Sequence, residues 1–239
     1  MALYGIHRFS RSSRIHHTSH TKIGVIMSKK SSGNAKYIIG AVIAVIIAIA
    51  AIVAISQNGS TEPTTEGISQ FSEITVSGDA LPSFDSASAA GDPAIGLTAP
   101  VVTGKGFTGN TVTTESAGTP TLLVFLAHWC QFCQREVPLL VEWEKSGQVP
   151  TGVDVIAIAT GTDPANPNYP PSDWLVREEF PALWPVLADS ADTKASQAFG
   201  LSGYPFFVLV DAEGKVSRRL SGEIPMDELT VIINQMIGA

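Results

Sequence analysis

Apolar positions along the chain fall into three textures: a continuous run, a polar stretch with short apolar patches, and alternating or periodic segments. From Ile38 to Ile55 every side chain is apolar, reading IIGAVIAVIIAIAAIVAI. At about 1.5 Å of rise per residue such a helix reaches roughly 27 Å, close to the hydrocarbon core of a bilayer. The run exceeds the apolar region of a cleaved signal peptide, and its Ala-Ile-Ala lies in mid-run. No cysteine follows it for lipid attachment. Residues 37–55 are therefore expected to form a retained single-span anchor. Lys29, Lys30 and Lys36 precede the run, and Glu62 and Glu66 follow it. The positive-inside rule then predicts a cytoplasmic N-terminus and a body outside the cell membrane.

Residues 56–92 are dominated by Ser, Thr, Gly, Ala, Asp and Glu, with apolar patches at Phe71–Val76 and Leu81–Phe84. That texture predicts a flexible linker with one brief strand near Ile74–Val76. From Pro93 to the end, residues 93–239 read as one globular domain. Pro100–Thr103 and Thr111–Thr113 flank a Gly-rich turn and suggest a hairpin. Thr121–Leu126 (TLLVFL) and Val153–Ala159 (VDVIAIA) are apolar runs that suit strands buried on both faces. A helix is expected from Cys133 to about Lys145, and further helices at 173–180, 192–199 and Met226–Ile237. Thr160–Pro171 is a long loop with four prolines. Phe206–Val210 and Val216–Leu220 flank the turn Asp211-Ala-Glu-Gly214. The order β–α–β–α–β–β–α predicts an α/β sandwich on a mixed sheet.

Charge sharpens this division. The chain carries 15 Lys and Arg against 22 Asp and Glu, a net −7. Seven of the bases and none of the acids lie in residues 1–36. That tail fits a disordered cytoplasmic segment or a transit peptide, or residues 1–26 lie upstream of a true start at Met27. The acidic remainder is a poor nucleic-acid binder, because phosphate contacts need clustered bases. Two cysteines exclude a disulfide scaffold, and a single histidine beyond residue 20, His128, excludes a multi-histidine metal centre.

Both cysteines lie in Trp129-Cys130-Gln131-Phe132-Cys133, between the end of a buried strand and the start of a helix. A helix N-terminus presents free N–H groups and partial positive charge, which favour thiolate over thiol. Cys130, the more N-terminal and exposed, is expected to attack, and Cys133, within the first turn, to resolve the mixed disulfide. A structural disulfide of this spacing would close almost no loop and gain little. Strand alternation places His128 away from Trp129, as a surface residue.

Trp129-Cys130-Gln131-Phe132-Cys133 resembles the active site of the thioredoxin superfamily. Pro138 stands where those proteins kink the active-site helix. Gly203-Tyr204-Pro205-Phe206 resembles their cis-proline loop, and Phe206–Val216 their late hairpin. Within the superfamily the chain is most similar to the membrane-anchored TlpA/ResA-like thiol–disulfide oxidoreductases. Those share the single anchor, an Ala-Pro-x-Val opening (Ala99-Pro100-Val101-Val102) and a Glu three residues after the second cysteine, here Glu136.

The resemblance implies a thioredoxin-like three-layer sandwich with a mixed central sheet, preceded by one transmembrane helix. It implies catalytic roles for Cys130, Cys133, Glu136 and Pro205, with Trp129, Gln131, Phe132 and Tyr204 meeting substrate. The Cys130–Cys133 disulfide would be the redox centre, with no other cofactor and no metal. Protein thiols and disulfides would be the substrates, apocytochrome c among them, and a membrane thiol relay the electron donor. Membrane lipid would contact the anchor. The dipeptide Gln131-Phe132 lacks the Pro that many relatives place before the second cysteine, and Val124 stands where thioredoxin has a buried Asp. Rival readings are a disulfide-forming oxidant, a peroxiredoxin-type reductase and a copper-delivery protein. Ala127, where peroxiredoxins have Thr, counts against the second. The short cysteine spacing and the lack of a later His count against the third.

Overall fold

The computed structural model describes residues 69–238, and the apolar run 38–55 and the tail before it lie outside them. No helix among the described residues is long and apolar enough to cross a membrane. The central sheet has five strands: β4 (Thr121–Leu126), β5 (Asp154–Ala159), β6 (Val186–Ala188), β7 (Phe206–Val210) and β8 (Val216–Ser221). Their order is β6-β5-β4-β7-β8. β4 pairs in parallel with β5, and β5 with β6, whereas β7 runs antiparallel to both β4 and β8. This is the mixed sheet and thioredoxin-like α/β architecture expected. A second, antiparallel sheet is formed by β1 (Thr75–Ser77), β2 (Val101–Lys105) and β3 (Thr111–Thr113).

β4 shows why a continuous apolar run makes a central strand. All six residues are buried, but successive side chains serve different cores. Leu122, Val124 and Leu126 pack with α1 (Gln131–Lys145) and α4 (Met226–Ile237) through Val137, Leu140, Leu229 and Ile233. Leu123 and Phe125 pack on the opposite face with Ala195, Ala198 and Phe199, in and just beyond α3 (Lys194–Ala198). α2 (Pro171–Arg177) completes the set and buries Trp174 and Leu175 in the α1 core. α2 and α3 are shorter than their periodicity suggested. β6 was not anticipated, because three residues between Pro185 and Asp189 leave no periodic signal.

The described part of the expected linker is folded onto the domain. Ile74, Leu81 and Phe84 are buried in the α3-side core, and the Phe84 ring meets Phe206 edge-on at 5.3 Å. β1 occupies Thr75–Ser77 and pairs with β2. Arg219 of β8, with 1% of its surface exposed, donates to Asp92 Oδ2 at 2.9 Å, Pro82 O at 2.8 Å and Phe199 O at 2.9 Å. Gly200 approaches so closely that a Cβ there would stand 2.3 Å from Pro82 O, at a φ of +66°. The polar composition of 69–92 concealed this packing, because a few anchors carry the burial and the intervening residues face water.

Candidate active site

β4 ends at Leu126, and the chain turns through Ala127 to Trp129 before α1 begins at Gln131. The Cys130 N–H closes this turn on Ala127 O at 3.0 Å. Cys130 is the N-cap residue of α1, with extended dihedrals (φ −72°, ψ 118°) and no side-chain cap bond. Its sulfur thus stands at the positive end of a fifteen-residue helix. Cys130 is 7% exposed and Cys133 is fully buried, and both are free thiols. Cys130 Sγ donates to Tyr204 O at 3.5 Å, beside the Tyr204–Pro205 peptide, which is cis.

Cys133 lies one helical turn behind. Burial raises its thiol well above the ordinary range, and the neighbouring Cys130 and Glu136 push in the same direction. The Ala127 N–H, 3.5 Å from Cys133 Sγ, opposes them. One sulfur is at the surface end of the helix and the other is sealed beneath it, so external partners meet Cys130 first.

Glu136 is also completely buried, next along the same helix. Its Oε1 accepts from the Ile224 N–H at 3.3 Å, and its Oε2 has no partner among the described residues. Burial pushes its carboxyl up to about 7, with the Ile224 amide pulling the other way and Glu223 adding to the rise. Glu223 itself grips Arg135 by two bonds, 2.7 and 2.8 Å long, one residue before Ile224. A carboxyl that changes charge near neutrality thus lies beside a thiol that resists ionisation.

The expected substrate-facing residues surround Cys130. Trp129 is 37% exposed and Phe132 43%, and Gln131 is exposed at the first turn of α1. The Arg135 guanidinium lies over the Phe132 ring at 4.9 Å. Trp129 meets the half-buried Tyr204 edge-on at 5.8 Å. Its indole N–H donates to Gly161 O at 2.7 Å. Pro205 is buried at the start of β7. Cys130, Cys133, Glu136, Pro205, Trp129, Gln131, Phe132 and Tyr204 are therefore gathered at the end of the sheet where β4 meets α1.

His128 departs from its expected position. It is 1% exposed, under the loop 160–170. Its Nδ1–H donates to Pro167 O at 2.7 Å, and its Nε2 accepts from the Asp163 N–H at 3.2 Å. Strand alternation stops at Leu126, so it cannot orient a residue two places later, and the proline-rich loop that covers the ring comes from distant sequence. Gly161, Glu223 and Ile224 also escaped sequence reasoning, since only the fold brings them here. No group of His, Cys, Asp and Glu able to hold a metal occurs among the described residues.

The sequence profile of the family described as Redoxin matches residues 77–231, more than half of the chain. The chain belongs to the Redoxin family. Among curated relatives, the thiol-disulfide oxidoreductase ResA of Geobacillus thermodenitrificans is 27% identical over 116 residues. The match covers 48% of this chain and 62% of ResA, less than two thirds of that relative. Among solved structures, a thiol:disulfide interchange protein of the thioredoxin family from Chlorobium tepidum is similar at 23% identity and a TM-score of 0.49. That match covers 60% of this chain and 97% of the other. StoA from Bacillus subtilis is similar at 18% identity and a TM-score of 0.48, covering 59% of this chain and 99% of StoA. Within this redoxin domain, Cys130 and Cys133 are the two thiols, one at the N-terminus of α1 and the other buried one turn behind it.

Proposed function

We propose that the chain is a thiol–disulfide oxidoreductase that reduces disulfides of protein substrates outside the cytoplasm, held there by residues 37–55. The carrying observation is the pairing of Cys130 Sγ, at the N-terminus of α1 and against Tyr204 O, with a buried Cys133 beside a buried Glu136. The Cys130 thiolate attacks one sulfur of a substrate disulfide, forming a mixed disulfide and releasing one substrate thiolate. Glu136 accepts the Cys133 proton. The Cys133 thiolate then attacks Cys130 Sγ, forming the Cys130–Cys133 disulfide and releasing the second substrate thiolate. The substrate gains two electrons and two protons, and the protein is left oxidised. A reduced dithiol carried by a membrane thiol relay restores it by the reverse sequence.

The substrate chain lies across Trp129, Phe132 and Tyr204, with the Tyr204 carbonyl beside Cys130 offering a backbone hydrogen bond to an extended segment. Apocytochrome c before haem attachment is the substrate example that the TlpA/ResA-like resemblance implies, and the match to a relative named a thiol-disulfide oxidoreductase supports the exchange chemistry. The direction of transfer is tested by the reduction potential of the Cys130–Cys133 couple, measured by equilibration with glutathione buffers and alkylation. A reductant lies near or below thioredoxin's roughly −270 mV. A value close to the roughly −120 mV of a strong oxidant contradicts the proposed direction.

A further inference from the structure

We infer that His128 is a positioning residue that locks the loop 160–170 beside Cys130 and so fixes Trp129 as a docking wall for peptide disulfides. The inference rests on the exchange function proposed above and specifies how that site selects extended substrates.

His128 is tied to the loop from ring and backbone alike. The ring spans two loop positions, donating from Nδ1 to Pro167 O and accepting at Nε2 from the Asp163 amide. These partners require the neutral tautomer with the proton on Nδ1. Burial holds the imidazole below its ordinary range, which keeps that form at neutral pH. The His128 carbonyl accepts from Asn168 Nδ2 at 3.3 Å and from Gln134 Nε2 of α1 at 3.1 Å. The Tyr169 ring stands edge-on to the imidazole at 6.0 Å. The loop is further braced by Asp163, whose carboxylate accepts from the Ala165 backbone N–H and from Asn166 Nδ2, and by Arg177, which donates to Asn168 Oδ1 at 3.0 Å.

The loop in turn controls the residue next to Cys130. Gly161 O receives the Trp129 indole N–H at 2.7 Å. Gly161 has a φ of +60°, and a Cβ there would stand 3.0 Å from the Tyr204 hydroxyl and 3.8 Å from Trp129. The loop backbone therefore packs close against both aromatic residues that flank the cysteine. If Asp163 and Pro167 are released, Gly161 O loses its fixed position and the indole its hydrogen bond to that carbonyl. A small disulfide needs access to Cys130 Sγ alone. An extended chain must also settle against Trp129 and Tyr204, so the lock acts on binding of peptides more than on the exchange step.

The test uses the full chain with His128→Phe, which keeps a ring but removes both nitrogens. His128→Asn, which retains a donor near Nδ1, is the conservative variant. Reduction of a short peptide with one internal disulfide is compared with reduction of dithionitrobenzoate. Exchange of the Trp129 indole N–H is followed by NMR. With the loss of two hydrogen bonds, His128→Phe is expected to raise KM for the peptide by about ten-fold more than KM for the small disulfide. The loss falls on KM rather than kcat, the indole exchanges faster, and His128→Asn recovers part of both effects. Equal changes in KM for the two disulfides overturn the inference, as does an indole that exchanges at the unaltered rate in a folded variant. If His128→Phe does not fold, the same comparison on His128→Asn decides the matter. Failure of the unaltered protein to reduce either disulfide overturns the proposed function instead, and indole exchange still decides whether His128 positions Trp129.

Discussion

Glu136 shows how one buried side chain links stability to chemistry. An unfolded glutamate releases its proton near 4.5, whereas in the fold burial delays release to about 7. Between these values the folded state binds the extra proton, so stability falls as pH rises through the window and levels off above it. The full effect is on the order of 3 kcal/mol. Urea denaturation should therefore show greater stability at pH 5 than at pH 8, and Glu136→Gln should flatten the difference. The same titration governs exchange. Resolution by Cys133 should quicken as pH rises through about 7, and Glu136→Gln should remove that step in stopped-flow kinetics while leaving the first attack less affected. A Glu136→Gln protein with the unaltered pH profile would contradict the proton-accepting role. Cys130 and Cys133 were legible from sequence because both lie within one helical start, where spacing fixes geometry, whereas Glu136 was singled out only through the family resemblance. His128 and Ile224 were not, because their partners arrive from loops far along the chain.

At the scale of elements, strands and helices with their own periodicity were readable, and those defined by a few long-range anchors were not. β4, β5, β7, β8, α1 and α4 follow apolar runs or 3.6-residue patterns and lie where the sequence places them. The segment 69–92 has no such pattern, yet Arg219 of β8 ties it down from Pro82 to Asp92. The Arg219 guanidinium holds the Asp92 carboxyl below its usual range. That contribution is present above pH about 3.8 and is lost as pH falls through the lower folded value. Arg219→Ala leaves a buried carboxylate and two carbonyls without their donor and should cost about 3–5 kcal/mol in denaturant unfolding. A loss below about 1 kcal/mol would show that the segment is held by its apolar contacts instead.

For the whole molecule, the packing of residues 69–92 makes the folded unit longer than its globular texture suggested. If residues 37–55 act as the anchor proposed above, alkaline carbonate washing should leave the full chain in the membrane fraction. Release into the wash, or a mature N-terminus beginning after Ile55, would refute the anchor. In the proposed function, the acidic body would meet its substrates through the exposed apolar side chains around Cys130, Trp129 and Phe132 among them.

The division of labour between the two sulfurs is tested most directly by trapping. Cys130 stands at the helix N-terminus with its sulfur toward Tyr204 O, whereas Cys133 is sealed beneath the first turn and can reach only the sulfur bonded to Cys130. Cys133→Ala and Cys130→Ala are each expressed in the native membrane, quenched with acid and resolved by non-reducing electrophoresis. Cys133→Ala should accumulate mixed disulfides with substrate proteins, because the second exchange is blocked, and Cys130→Ala should trap few. Equal trapping by both variants, or none by either, would contradict the assignment of Cys130 as attacking and Cys133 as resolving thiol.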